Sequence, residues 1–323
     1  MKNLFYSTLF LAFVLGCQTD SKKKNIVVSQ KRYDIPAFNE DSAFAYIEKQ
    51  VSFGPRVPGT EGHDRCADWL ESKLSEFGLN AQIENFKTRR FDGKVINGKN
   101  IVASLNPQAS KRVFLCAHWD TRYKADYDKL KSTDPILGAD DGGSGVGVAL
   151  EIARVLSQTS EFDMGLDIVL FDAEDQGEED GNVDSWGLGA QHWSNAHKSQ
   201  YNPKYGILLD MVGARGAQFF REGYSLQSAP NVVYKIWKVA EDMGYSDLFI
   251  PRDGRGVVDD HYFINRNTGW PVVDIIHTNQ NKGTGFGSHW HTHDDNLEVI
   301  DKNVLKRVGR VVLRVLCYED QGR

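Results

Sequence analysis

Three short, largely apolar runs in this chain each give way at once to acids. VFLCA (113–117) runs into His118-Trp119-Asp120, LDIVLFDA (166–173) into Glu174-Asp175, and YGILL (205–209) into Asp210. Runs this short and this apolar predict strands buried on both faces, the hallmark of a parallel sheet covered by helices. Further strand-like segments lie at Ala81–Phe86, Asn100–Leu105 and Val272–His277. Helical periodicity marks Phe44–Val51, Asp64–Phe77, Val146–Leu156, Asn231–Met243 and Asn303–Leu316; in the last, Val304, Leu305, Val308, Val311, Val312, Val315 and Leu316 form one stripe. The fold class expected is α/β: one globular domain with a central twisted, mostly parallel mixed sheet and helices on both faces. In such sheets ligands collect outside the carboxyl ends of the strands. A single acid there is ordinarily a helix cap or turn residue. Recurrence after three strands points instead to a site.

At 323 residues, 41% apolar and 25% charged, the composition suits such a domain. A net charge of −6 with no basic run in the body argues against nucleic acid as a partner and favours a peptide or small substrate. Lys2, the apolar stretch Leu4–Leu15 and Gly16 read as a signal peptide over 1–16, too short to span a bilayer. The string VLGC resembles a bacterial lipoprotein cleavage box, with Cys17 acylated; a plain secretory signal is the alternative. The expected division is 1–16 signal peptide, 17–35 lipidated cysteine and polar tether, and 36–323 the α/β domain. That places the protein at the periplasmic face of a membrane, touching lipid only through Cys17. The remaining Cys66, Cys116 and Cys317 do not suggest a disulfide framework, and Cys116 reads as a core thiol.

The donors at the predicted strand ends and loops are His118, Asp120, Asp141, Glu174, Asp175, Asp210 and His291. Carboxylates and imidazoles without cysteine suit a hydrolytic or acyl-transfer zinc centre better than a structural one. Glu174 and Asp175, being adjacent, point apart. One can bind a metal while the other handles a proton.

Seven segments, taken in order, resemble the zinc-dependent glutaminyl cyclases of the animal and bacterial type, which share a fold with zinc aminopeptidases: FGPRVPGTEGH (53–63), AHWD, GADDGGSG, LFDAED, LLDMVGA, DDHYF and FGSHWHTHDDN (286–296). The resemblance covers roughly residues 40 to 317. It implies a zinc ion, one per chain, held by Asp141, Asp175 and His291. It also implies Glu174 as general acid/base, with Asp210 and Asp259 forming an acid network beside it; Asp260 competes with Asp259 for that place. Trp186, Phe286 and Trp290 become the walls of a substrate pocket. The implied reaction closes the N-terminal glutamine of a peptide or protein into pyroglutamate and releases ammonia.

A zinc aminopeptidase on the same fold is the alternative, with His118, Asp141, Asp175, Asp210 and His291 holding two metals. His118 and Asp120, the HxD of AHWD, then either bind a second zinc or support the first from behind. His63 reads as a packing residue. A binding domain that has lost catalysis is disfavoured, because every donor and the acid/base are intact.

Overall fold

The computed structural model describes Met1 and residues 31–323; Cys17 and the expected signal peptide lie outside the described residues. The chain runs α1 (Glu40–Val51), α2 (Glu61–Glu76), β1 (Asn80–Arg89), β2 (Val95–Leu105), β3 (Arg112–His118), α3 (Gly143–Ser157), β4 (Gly165–Phe171), α4 (Leu188–His197), β5 (Gly206–Asp210), β6 (Phe219–Arg221), α5 (Gly223–Ser228), α6 (Pro230–Asp242), β7 (Phe249–Asp253), α7 (Asp260–Thr268), β8 (Val272–Ile276) and α8 (Lys302–Asp320). Six strands form one sheet in the order β1-β2-β4-β3-β5-β8. β4, β3, β5 and β8 are mutually parallel, and the β1–β2 hairpin adds antiparallel strands at one edge. β6 and β7 pair separately.

Alternation along β3 explains why its run is apolar throughout. Val113, Leu115 and Ala117 enter a core shared with α1, α3, α6 and α8, while Phe114 and Cys116 enter a second core with Trp193 of α4 and Ile264 of α7. Complete burial of a Val, Leu or Phe side chain is worth about 1.5–3 kcal/mol, so neither face of the sheet is left to water. The Cys116 thiol is buried in the second core and pushed well above its ordinary pKa by that burial, as expected of a packing residue.

α3 begins earlier than its apolar stripe predicts, inside the Gly-rich turn. Close packing explains it: a Cβ on Gly145 would lie 2.0 Å from the Leu209 carbonyl oxygen of β5. Glycine lets the first turn of the helix rest directly on the sheet. At the other end of the molecule, Lys31 reaches Asp163 (2.8 Å) and Asp320 (3.0 Å), and the Tyr33 hydroxyl donates to Asp320 (2.9 Å). These contacts strap the residues before α1 to the start of β4 and the end of α8.

The site-bearing geometry follows from strand order. From β3 the chain passes to β4 on one side and later to β5 on the other. That reversal opens a crevice at the carboxyl ends of the central strands.

Candidate active site

β3 ends on His118 and β5 on Asp210, while Glu174 and Asp175 follow β4 after a two-residue turn. Five non-glycine residues among those described have left-handed φ, and four adjoin or belong to this site: Ala173 (56°), Asp180 (55°), Met211 (47°) and His291 (53°). Such backbone costs about 1–3 kcal/mol per residue and persists only where the surroundings over-determine it. The buried Asp120 carboxylate does so for the β4 turn. It accepts the backbone N–H groups of Glu174 (3.0 Å) and Asp175 (3.3 Å) and the Gln176 side-chain amide (3.0 Å). Gly142 has φ 79°, and a Cβ there would meet His118 Cε1 at 2.8 Å, so glycine makes room for the ring.

Asp141, Asp175 and His291 come together as expected. His291 Nε2 lies 3.1 Å from Asp175 Oδ1 and 3.7 Å from Asp141 Oδ2. The second oxygens fit a cation: Asp141 Oδ2 and Asp175 Oδ2 are buried without a hydrogen-bond partner. Leaving carboxylate oxygens dry and unpaired is costly, and two carboxylates with an imidazole are a donor set that zinc accepts while keeping a position open. A second group shares Asp141: His118 Nε2 is 3.1 Å from both Asp141 Oδ1 and Asp210 Oδ1. Burial opposes charge on His118, yet the neighbouring carboxylates of Asp120, Asp141 and Asp210 hold its imidazolium well above the usual histidine range.

Glu174 faces a cleft of about 330 Å³ together with Asp141, Asp175, Asp210, Asp259 and His291. Burial pushes its carboxyl well above the ordinary range; Asp259, Asp260 and Asp175 push it further, against the pull of His118. Burial likewise raises Asp210 to about 7. Geometry separates the two acids of DDHYF. Asp259 caps α7 and lines the cleft, whereas Asp260 turns inward, with both carboxylate oxygens buried and unpartnered.

Trp186, Phe286 and Trp290 all line the same cleft. Trp290 stacks on His291 with ring centres 3.8 Å apart and meets Phe286 at 4.5 Å, while Trp186 lies nearly parallel to His291 at 6.3 Å. His63 is buried, stacked on Trp119 at 4.4 Å and paired with Asp172 at 2.8 Å, far from any metal role. Several neighbours carry no motif that would reveal them. The fully buried Arg122 donates to the carbonyls of Asp175 (3.1 Å) and Gly177 (2.8 Å) and lies 4.7 Å over Trp186. Tyr127 meets Trp290 in a tilted contact at 5.2 Å, and Glu178, Glu179, Asp180 and Arg255 frame the mouth.

Set against known proteins, residues 100–316 match the sequence model of peptidase family M28. The chain belongs to this family. Among solved M28-like structures it is similar to a glutaminyl cyclase from Porphyromonas gingivalis, 46% identical, covering 88% of this chain and 99% of that one, with a TM-score of 0.86. A Zn-dependent exopeptidase from Parabacteroides distasonis is 45% identical with the same coverage and a TM-score of 0.85. Among curated relatives, a glutaminyl-peptide cyclotransferase of Drosophila melanogaster is 27% identical over 297 residues, 82% of this chain and 77% of that one. The α/β fold with its mixed six-stranded sheet is thus the M28 arrangement.

Proposed function

We infer that this protein is a glutaminyl-peptide cyclotransferase, an acyl-transfer enzyme acting on peptides or proteins with N-terminal glutamine. The observation carrying the reading is one cleft that joins the Asp141–Asp175–His291 donors, the raised Glu174 carboxyl and the walls Trp186, Phe286 and Trp290. Zinc held by the three donors supplies Lewis acidity toward the side-chain amide carbonyl of the substrate. The aromatic walls hold the glutamine side chain folded back, so that its α-amine approaches its own amide carbon. Glu174 takes a proton from that amine as the ring closes and passes it to the departing nitrogen, which leaves as ammonia. Burial together with Asp259, Asp260 and Asp175 keeps negative charge on Glu174 costly, which suits a group that must hold the proton between the two transfers.

One zinc per chain is the stoichiometry we propose, because His118 already serves Asp141 and Asp210 as a cationic partner. The aminopeptidase reading needs five ligands, adding His118 and Asp210 to Asp141, Asp175 and His291, and the His118–Asp141–Asp210 group also brings its donor atoms within 4.8 Å of one another. Incubation of the zinc enzyme with a glutamine-initiated peptide separates the two. Loss of one ammonia without chain shortening supports cyclisation; release of the free first amino acid from ordinary peptides overturns it.

Export and anchoring through Cys17 extend this reading, supported by the VLGC box and the apolar stretch before it. Cys17→Ser is expected to move the protein from the membrane to the soluble fraction of the native cell. Unchanged partition would refute the anchor.

A further inference from the structure

His291 sits in a loop without helix or strand, with φ at 53°, a conformation that needs external support. Support comes from both sides of it in sequence. Two residues before, His289 Nε2 donates to Asp140 Oδ2 at 2.8 Å. Four residues after, Asp295 Oδ1 accepts the Asp140 N–H (2.7 Å) and Oδ2 accepts the Asp141 N–H (3.1 Å). The other oxygen of Asp140 accepts the N–H of Gly213 (2.8 Å), in the turn after β5. Asp140 and Asp295 are fully buried, and His289 is nearly so. Among the described residues Asp295 makes no ion pair; both its oxygens are spent on two consecutive peptide N–H groups. The loop is closed internally as well, by the Thr292 hydroxyl on the His289 carbonyl (2.7 Å) and the Asp295 N–H on the Thr292 carbonyl (3.2 Å).

We propose that Asp295 and His289 are positioning residues that lock the His291 loop onto the Asp140–Asp141 turn and so set the spacing between two metal ligands before zinc arrives. The inference rests on Asp141, Asp175 and His291 being the ligand set. Neither positioning residue touches the metal; both act through the backbone and through Asp140. Carboxylate is essential at 295 because both of its oxygens accept. An asparagine presents one acceptor and one NH₂, which would face a backbone N–H, donor against donor.

The test measures zinc affinity by competition with a chelating dye, together with the thermal midpoint of the metal-free protein and activity over a zinc titration. Asp295→Asn is expected to weaken zinc binding about 10–100-fold, the usual range for groups that orient ligands. Its cyclase activity should fall at limiting zinc and recover toward wild type at excess zinc. His289→Leu, which removes only the bond to Asp140, should weaken binding in the same direction by less, and it carries the test if the asparagine variant does not fold. Wild-type zinc affinity in a folded Asp295→Asn or His289→Leu protein overturns the proposal, as does lost activity at unchanged affinity. His291→Ala distinguishes this from a wrong ligand set. If that variant also binds zinc like wild type, the ligand assignment itself has failed.

Discussion

Asp141 stands between two groups of donors that differ in what already satisfies them. On the side of Asp175 and His291 its Oδ2 is buried without a partner, as is Asp175 Oδ2, and all three residues line the cleft. On the side of His118 and Asp210 its Oδ1 meets an imidazole at 3.1 Å, and His118 does not line the cleft. Both groups offer the number and kind of donors that a metal needs. Donor type alone therefore does not fix how many ions bind; unmet hydrogen-bonding capacity and access to substrate discriminate between them.

Disrupting the open side should have the largest effect. His291→Ala is expected to lose zinc and activity together, since three ligands leave no redundancy, while Glu174→Gln keeps zinc and loses turnover by about 10²–10⁴-fold. Elemental analysis with single-turnover cyclisation reads both; full zinc in the first variant or near-normal turnover in the second contradicts the assignment. Trp290→Ala comes next. Removing a wall that covers His291 and the substrate side chain should raise KM about tenfold or more, with a smaller change in kcat. An unchanged KM would mean that the glutamine side chain sits elsewhere. The closed side should respond least: His118→Ala should reduce activity severalfold and leave zinc at one per chain. If wild type holds two zinc ions and this variant one, the two sides are both metal sites, and the aminopeptidase chemistry gains the stronger claim.

Much of this was legible in the sequence because acids stood at the ends of apolar strands. Asp210 adjoins its run directly and Glu174 and Asp175 follow theirs, so the period of the strand delivers them to one edge of the sheet. The HWHTHDD loop carried no such period; residue type put His291 among seven candidate donors, and the resemblance made it one of three zinc ligands. Asp295 and His289 escaped notice because their partners lie about 150 residues away, at Asp140 and Asp141. Fold elements were missed for local reasons. α7 (DHYFINRNT) carries Asn, Tyr and Thr among few aliphatics and buries only four residues, so its helical stripe is faint. β7 (FIPRD) contains proline and pairs only with the short β6, a pattern that reads as loop. The early start of α3 was hidden by glycines whose purpose is contact with β5 rather than helix propensity.

The strap formed by Lys31 and Tyr33 bears on how bulky a substrate can be. Asp163, which holds Lys31, precedes β4, and Glu174 follows it, so the seven residues of that strand, about 23 Å, lie between the two points. The domain is therefore entered by its own chain at the end remote from the cleft mouth. What an incoming N-terminus meets first is the acidic run Glu178–Asp180 and the exposed Arg255. A glutamine at the tip of a folded protein has the same approach as one on a short peptide, provided a few residues of its own chain extend freely from the fold behind it.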